Sequence, residues 1–255
     1  MTPEETTPPV CEVWWADPNL ASPGLLELLD ERERGRHDRF RLAADRDRYV
    51  VAHALARLVC ARAAGCDPGE VAFRLHCRSC ARDPSKRGDS HGKPHPDGPA
   101  RGLEISHSHS GERVVVALTR GVPVGVDVEG VSAERDIEGV AEIALAENER
   151  AALDTMPAGD RVAGFFGYWA RKEALLKATG DGLSGGLGTV RVNPPDQPAS
   201  LTGWDGPHAP ERAWLSDLDA GPGYRAALAA LTGGPVTVAT HDATPLLDRS
   251  ASGRG

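Results

Sequence analysis

No stretch of about 18 or more apolar residues occurs in the 255-residue chain, which excludes a membrane-spanning helix. A basic-then-apolar leader is missing too. The first residues, MTPEETTPPVCEVWW, are acidic and proline-rich, so secretion is not expected and the cytoplasm is the expected compartment. Cysteine is scarce: five thiols, odd in number and mostly scattered, do not form the dense even framework of a small secreted scaffold, and reduced cysteines are expected. Positive charge is in deficit, 29 Lys and Arg against 37 Asp and Glu for a net charge of -8. General nucleic-acid binding needs a net-positive face and is thereby disfavoured; any phosphate site has to be a local patch. No internal repeat is visible at the residue level.

With 40% hydrophobic and 26% charged residues, the chain can build a sizeable core in one large or two small domains. Val10 to Ala16 reads as a strand and Pro23 to Glu33 as a short helix. Between Asp45 and Ala64, Tyr49, Ala52, Leu55, Ala56, Val59 and Cys60 recur at helical spacing, and Gly65 is the stop signal. Leu75 to Pro99 lacks apolar periodicity and reads as a long loop. Val114–Leu118 and Val124–Glu129, separated by a turn, read as a hairpin. Helical patterns follow at 137–153 and at Arg161–Thr179, then short strands near 189–192, 214–216, 224–231 and 236–240. The expected class is α+β, in two helix-plus-sheet halves: 10–123 and 124–242, with flexible ends at 1–9 and 243–255.

Four clusters carry candidate chemistry. In Val124-Gly125-Val126-Asp127-Val128-Glu129, alternation sends the valines to one face and Asp127 and Glu129 to the other. Two adjacent carboxylates call for solvent, a base or a cation, and oxygen ligands suit Mg²⁺; a solvated acidic face is the alternative. On the helix Tyr168–Gly180, Glu173 and Lys177 stand four apart, as a surface ion pair would. Lys172 falls inside the apolar stripe, where an unpaired ammonium is costly and a nearby phosphate would compensate it. Ser108 and His109, within Ser106-His107-Ser108-His109-Ser110-Gly111, can wrap a phosphate or form a polar turn. Lys93 and the arginines around the first long helix, Arg36 and Arg48 among them, supply forks and charges for phosphate, although interleaved acids make most of that run a solvated face.

Gly92-Lys93-Pro94, Ser108-His109-Ser110-Gly111, Gly125-Val126-Asp127-Val128-Glu129 and the segment WARKEALLK at 169–177 occur in the order and spacing of a known family. The chain resembles the 4′-phosphopantetheinyl transferases, in their single-chain surfactin-type form, from about Phe40 to Leu183. The resemblance implies a pseudo-dimer of two similar α+β halves with coenzyme A in the cleft between them. It implies Mg²⁺ on Asp127, Glu129 and Glu173, with Glu173 and Lys177 as the catalytic pair. Lys93, Ser108 and His109 would hold coenzyme A phosphates, and Arg48 and Arg36 would meet its 3′-phosphate end. The acceptor would be a serine of an acyl- or peptidyl-carrier protein, for polyketide or nonribosomal-peptide synthesis, and the enzyme a monomer. Two positions depart from the pattern: Glu33 stands where some members carry lysine, and Ser106 where asparagine is common.

A non-catalytic module gripping coenzyme A or a carrier protein, and a metal-dependent nucleotide phosphohydrolase, are the alternatives. Separately, Cys77 and Cys80 with His76, His91 and His95 nearby raise a structural zinc site, although the histidine spacing is not that of a finger.

Overall fold

The structure is a computed structural model that describes residues 7–77, 92–132, 136–182, 186–206 and 209–252. The chain opens with β1 (Val10–Ala16), followed by α1 (Pro23–Glu27) and α2 (Glu31–His37). The sequence pattern predicts one helix over 23–33. Asp30 divides it: its extended backbone and its side chain, accepting the Glu33 N–H at 2.8 Å, start a second helix, and the Glu33 carboxylate returns to the Asp30 N–H at 2.9 Å. Helix α3 (Ala43–Ala64) is the expected long helix, closed by Gly65 at φ +69°.

The predicted loop at 75–99 takes in the end of β2 (Ala72–His76) and all of β3 (Lys93–Asp97), paired antiparallel with His76 opposite Lys93. Next come β4 (Leu103–Ser110), β5 (Arg113–Arg120) and β6 (Val124–Gly130). The expected β5–β6 hairpin does not form. β5 pairs with β4 and β1, whereas β6 pairs with a strand a hundred residues on. Period-two patterning marks a strand without naming its partner, and the true partner of β5, β4, is masked by its serines and histidines.

The second half continues through α4 (Glu138–Ala144), α5 (Glu147–Thr155), α6 (Arg161–Thr179), β7 (Val190–Val192), β8 (Leu201–Trp204), β9 (Trp214–Leu218) and β10 (Tyr224–Ala230). Leu145 and Ala146 are extended, so the helix expected over 137–153 is two. The chain ends in β11 (Thr237–Asp242) and α7 (Thr244–Ser252).

Two sheets carry the architecture, in the orders β11-β1-β5-β4 and β6-β10-β9. One face of the first packs on α3 around Trp14, Leu55, Ile105 and Val116. One face of the second packs on α6 around Phe166, Leu175 and Ala227. The remaining faces meet through Val13, Val115, Val126 and Leu228. The α+β expectation holds in this helix–sheet–sheet–helix stack.

Candidate active site

Gly125 determines how closely α6 approaches β6. A Cβ there would lie 1.9 Å from the Ala174 carbonyl oxygen and 2.4 Å from the Ala178 nitrogen, so only glycine lets the helix backbone lie on the strand. That contact brings the Glu173–Lys177 edge of α6 to the acidic face of β6. Asp127 is 3% exposed. Its Oδ1 accepts from Lys177 Nζ at 2.6 Å and from Ser108 Oγ at 2.8 Å. Lys177 Nζ donates further to Ser108 Oγ (2.9 Å) and to the Val126 carbonyl (3.2 Å). Lys177 therefore pairs with Asp127 on β6 and reaches Ser108 on β4, instead of forming the surface pair with Glu173 that helical spacing alone suggests.

Glu173 is 7% exposed, and burial pushes its carboxyl up to about 7; Lys177 pulls it down, while Asp127 and Glu129 push it further up. Glu129 is half-buried and accepts from Ser110 Oγ at 3.4 Å. Among the described residues, no three His, Cys, Asp or Glu side chains are gathered into a ready metal shell. The donors nevertheless suit a hard cation: Asp127 Oδ2 and Glu173 Oε1 are buried without a hydrogen-bond partner, and both are carboxylate oxygens.

On the opposite face of β4, His107 and His109 line a cavity of about 400 Å³ together with Arg36, Tyr49, His53 and Pro94. Tyr49 and His53 stack with centroids 4.0 Å apart. Burial, then the charges of Lys177 and Arg48, holds His109 down at about 4, so it is neutral near pH 7 and offers one N–H donor. Glu33 borders this cavity with its charge already spent: it accepts from His53 and, doubly, from the buried Arg57.

Of the predicted ligand residues, Asp127, Glu129, Glu173, Lys177 and Ser108 are brought together, and Arg36 and His109 line the adjoining cavity. Arg48 sits on Asp45 (2.5 Å) and on the Gly111 carbonyl (3.1 Å), at the turn after β4. Lys93 reaches into the second half, where its ammonium donates to the Val124 (3.1 Å) and Ala178 (2.8 Å) carbonyls and lies 3.3 Å from Glu104. Lys172 corrects an expectation. It is fully buried, but a carboxylate supplies the compensation assigned to phosphate: Nζ lies 2.5 Å from Glu149 and also donates to the Ala144 and Leu187 carbonyls. The sequence assigns no ligand role to Tyr49 or His53 and places Ser110 only within the Ser/His run; the alternation of Ser106, Ser108 and Ser110 is the signal that would put Ser110 on the face of Ser108. The zinc alternative depends on Cys80 and His91, which lie outside the described residues.

Residues 123–229 match the 4′-phosphopantetheinyl transferase superfamily. The chain is similar to the 4′-phosphopantetheinyl transferase HetI of Nostoc, 28% identical over 160 residues that cover 63% of each protein. It is 34% identical over 119 residues to the 4′-phosphopantetheinyl transferase gsp of Aneurinibacillus migulanus, covering 45% of this chain and 48% of that one. A 4′-phosphopantetheinyl transferase of Bacillus subtilis is 26% identical over 213 residues, covering 81% and 84%. The chain spans 63% of the length of each of the two cyanobacterial relatives it matches.

Proposed function

We propose that the chain is a member of the 4′-phosphopantetheinyl transferase superfamily, which its residues 123–229 match, and that it moves the 4′-phosphopantetheine group of coenzyme A to a serine of an apo-acyl- or peptidyl-carrier protein, releasing 3′,5′-ADP. The observation that carries this reading is the pair of buried carboxylate oxygens without partners, Asp127 Oδ2 and Glu173 Oε1, beside Lys177. Mg²⁺ would be held by Asp127, Glu129 and Glu173, and when bound it supplies neutralisation of the pyrophosphate charge.

The chain's own residues account for the rest. Lys177, already donating to Ser108 and Asp127, is placed to swing its ammonium to the bridging oxygen that departs on the 5′-phosphate of 3′,5′-ADP. Neutral His109 donates to a phosphate oxygen without adding charge, and Ser108 can do so from the other face of β4 once its O–H leaves Asp127. The cavity floored by stacked Tyr49 and His53 suits a planar base, with Arg36 at its wall for the 3′-phosphate. Glu173, or a water held beside it, is the group to take the proton of the attacking carrier serine. Among the described residues no helix is long and apolar enough to cross a membrane; we place the enzyme in the cytoplasm. We place its carriers in polyketide or nonribosomal-peptide synthesis and its working form as a monomer.

Mass spectrometry of an apo-carrier protein incubated with coenzyme A, Mg²⁺ and the protein tests the reading. A gain of one phosphopantetheine per acceptor serine is expected. A binding module predicts no gain, and a phosphohydrolase predicts coenzyme A breakdown without a carrier. Asp127→Ala and Glu173→Ala should each abolish transfer while far-ultraviolet circular dichroism stays at wild type; undiminished turnover in either would refute the assigned roles.

A further inference from the structure

β6 and β4 are edge strands of different sheets that lie along each other without main-chain pairing. Side chains instead take four peptide groups of β6. Lys93 Nζ donates to the Val124 carbonyl, Ser106 Oγ accepts from the Val126 N–H at 3.0 Å, and Ser110 Oγ accepts from the Gly130 N–H at 3.0 Å. Lys177 Nζ donates to the Val126 carbonyl. Period-two geometry explains the division of labour on β4: the serines at 106, 108 and 110 face β6, while His107 and His109 face the cavity.

Val126, the residue before Asp127, is thus gripped at both ends, its N–H by Ser106 and its C=O by Lys177. We propose that Ser106 is a positioning residue, whose hydroxyl fixes the Gly125–Val126 peptide, one step before Asp127 on the strand, and so the place of that carboxylate beside Lys177 and Glu173. Ser106 is 4% exposed and does not line the cavity, so it acts through the strand and not on a ligand. Its kinetic consequence rests on the transferase reading; its structural consequence does not.

The test compares wild type with Ser106→Ala and Ser106→Thr by amide hydrogen exchange across 124–130 and by steady-state kinetics with coenzyme A and an apo-carrier protein. Loss of one buried hydrogen bond predicts that Ser106→Ala speeds exchange of the Val126 amide about tenfold and lowers kcat about tenfold, with KM for coenzyme A within about twofold of wild type. Ser106→Thr, which keeps the hydroxyl, should recover both. Unchanged Val126 exchange overturns the proposal, as does a KM rise at constant kcat, which would make Ser106 a ligand contact. Should Ser106→Ala not fold, Ser106→Cys, nearly isosteric but a poor acceptor, carries the same comparison. If wild type transfers nothing, the exchange data still decide the place of Ser106, and the failure belongs to the functional reading.

Discussion

Lys172 and Glu149 form a buried ion pair in which neither partner reaches solvent, and Glu149 also accepts the Ala146 N–H that starts α5 and the Val192 N–H of β7. Removing one partner strands a charge, so Lys172→Met should cost about 3–5 kcal/mol in denaturant melts while KM for coenzyme A stays near wild type. A raised KM without lost stability would instead return Lys172 to phosphate binding. Glu33 gives the pH counterpart. Burial raises its carboxyl, but His53 and Arg57 outweigh that and hold it at about 2, below its ordinary 4.5. Its folded pKa lies below its unfolded one, so its contribution is complete above about pH 4.5 and is lost as pH falls toward 2. Glu33→Gln should flatten the stability profile across that window and lower stability at pH 7, as read by urea melts at stepped pH. The burial of Lys172 was legible from the helical wheel. Its partner was not, because Glu149 lies 23 residues away and only the fold brings the two together.

At the scale of elements, the helices with unambiguous stops were readable: Gly65 and Gly180 both adopt positive φ where α3 and α6 end. The acidic face of β6 was readable as well, from strict alternation. β4 was not, since its inner face is made of hydroxyls that bond to another strand's main chain, and a Ser/His run carries the composition of a turn. β8 escaped notice because it is four residues long and mostly half-exposed. The contact of α6 on β6 makes its own prediction. Gly125→Ala places a methyl against helix backbone that cannot turn aside, so α6 has to lift from the strand. Stability should fall by about 3 kcal/mol or more and transfer should fall with it, measured by thermal melts and the carrier assay. Wild-type melting would mean that the helix has room the geometry denies.

Over the whole molecule, the least legible feature was the return of the chain to its first half. Residues after Asp242 have the composition of a frayed end, but over 243–252 the expected flexibility gives way to α7, whose Leu247 is 1% exposed within the α3 core alongside Ala243; 253–255 lie outside the described residues. β11 likewise belongs to the first sheet, running parallel to β1 with Val10 opposite Thr237, so the boundary of the second half falls before it. Leu247→Ala should cost about 2–5 kcal/mol, and truncation after Asp242 more, both read by thermal melts with near-ultraviolet signals of the Trp14 environment. The second half is thus an insertion between β5 and β11 of the first. During synthesis β1 waits without its parallel neighbour until more than 200 residues have followed it off the ribosome, while β6 to β10 close among themselves earlier. Two fragments cut between β5 and β6 would each be born incomplete and would have to recombine to restore the first sheet.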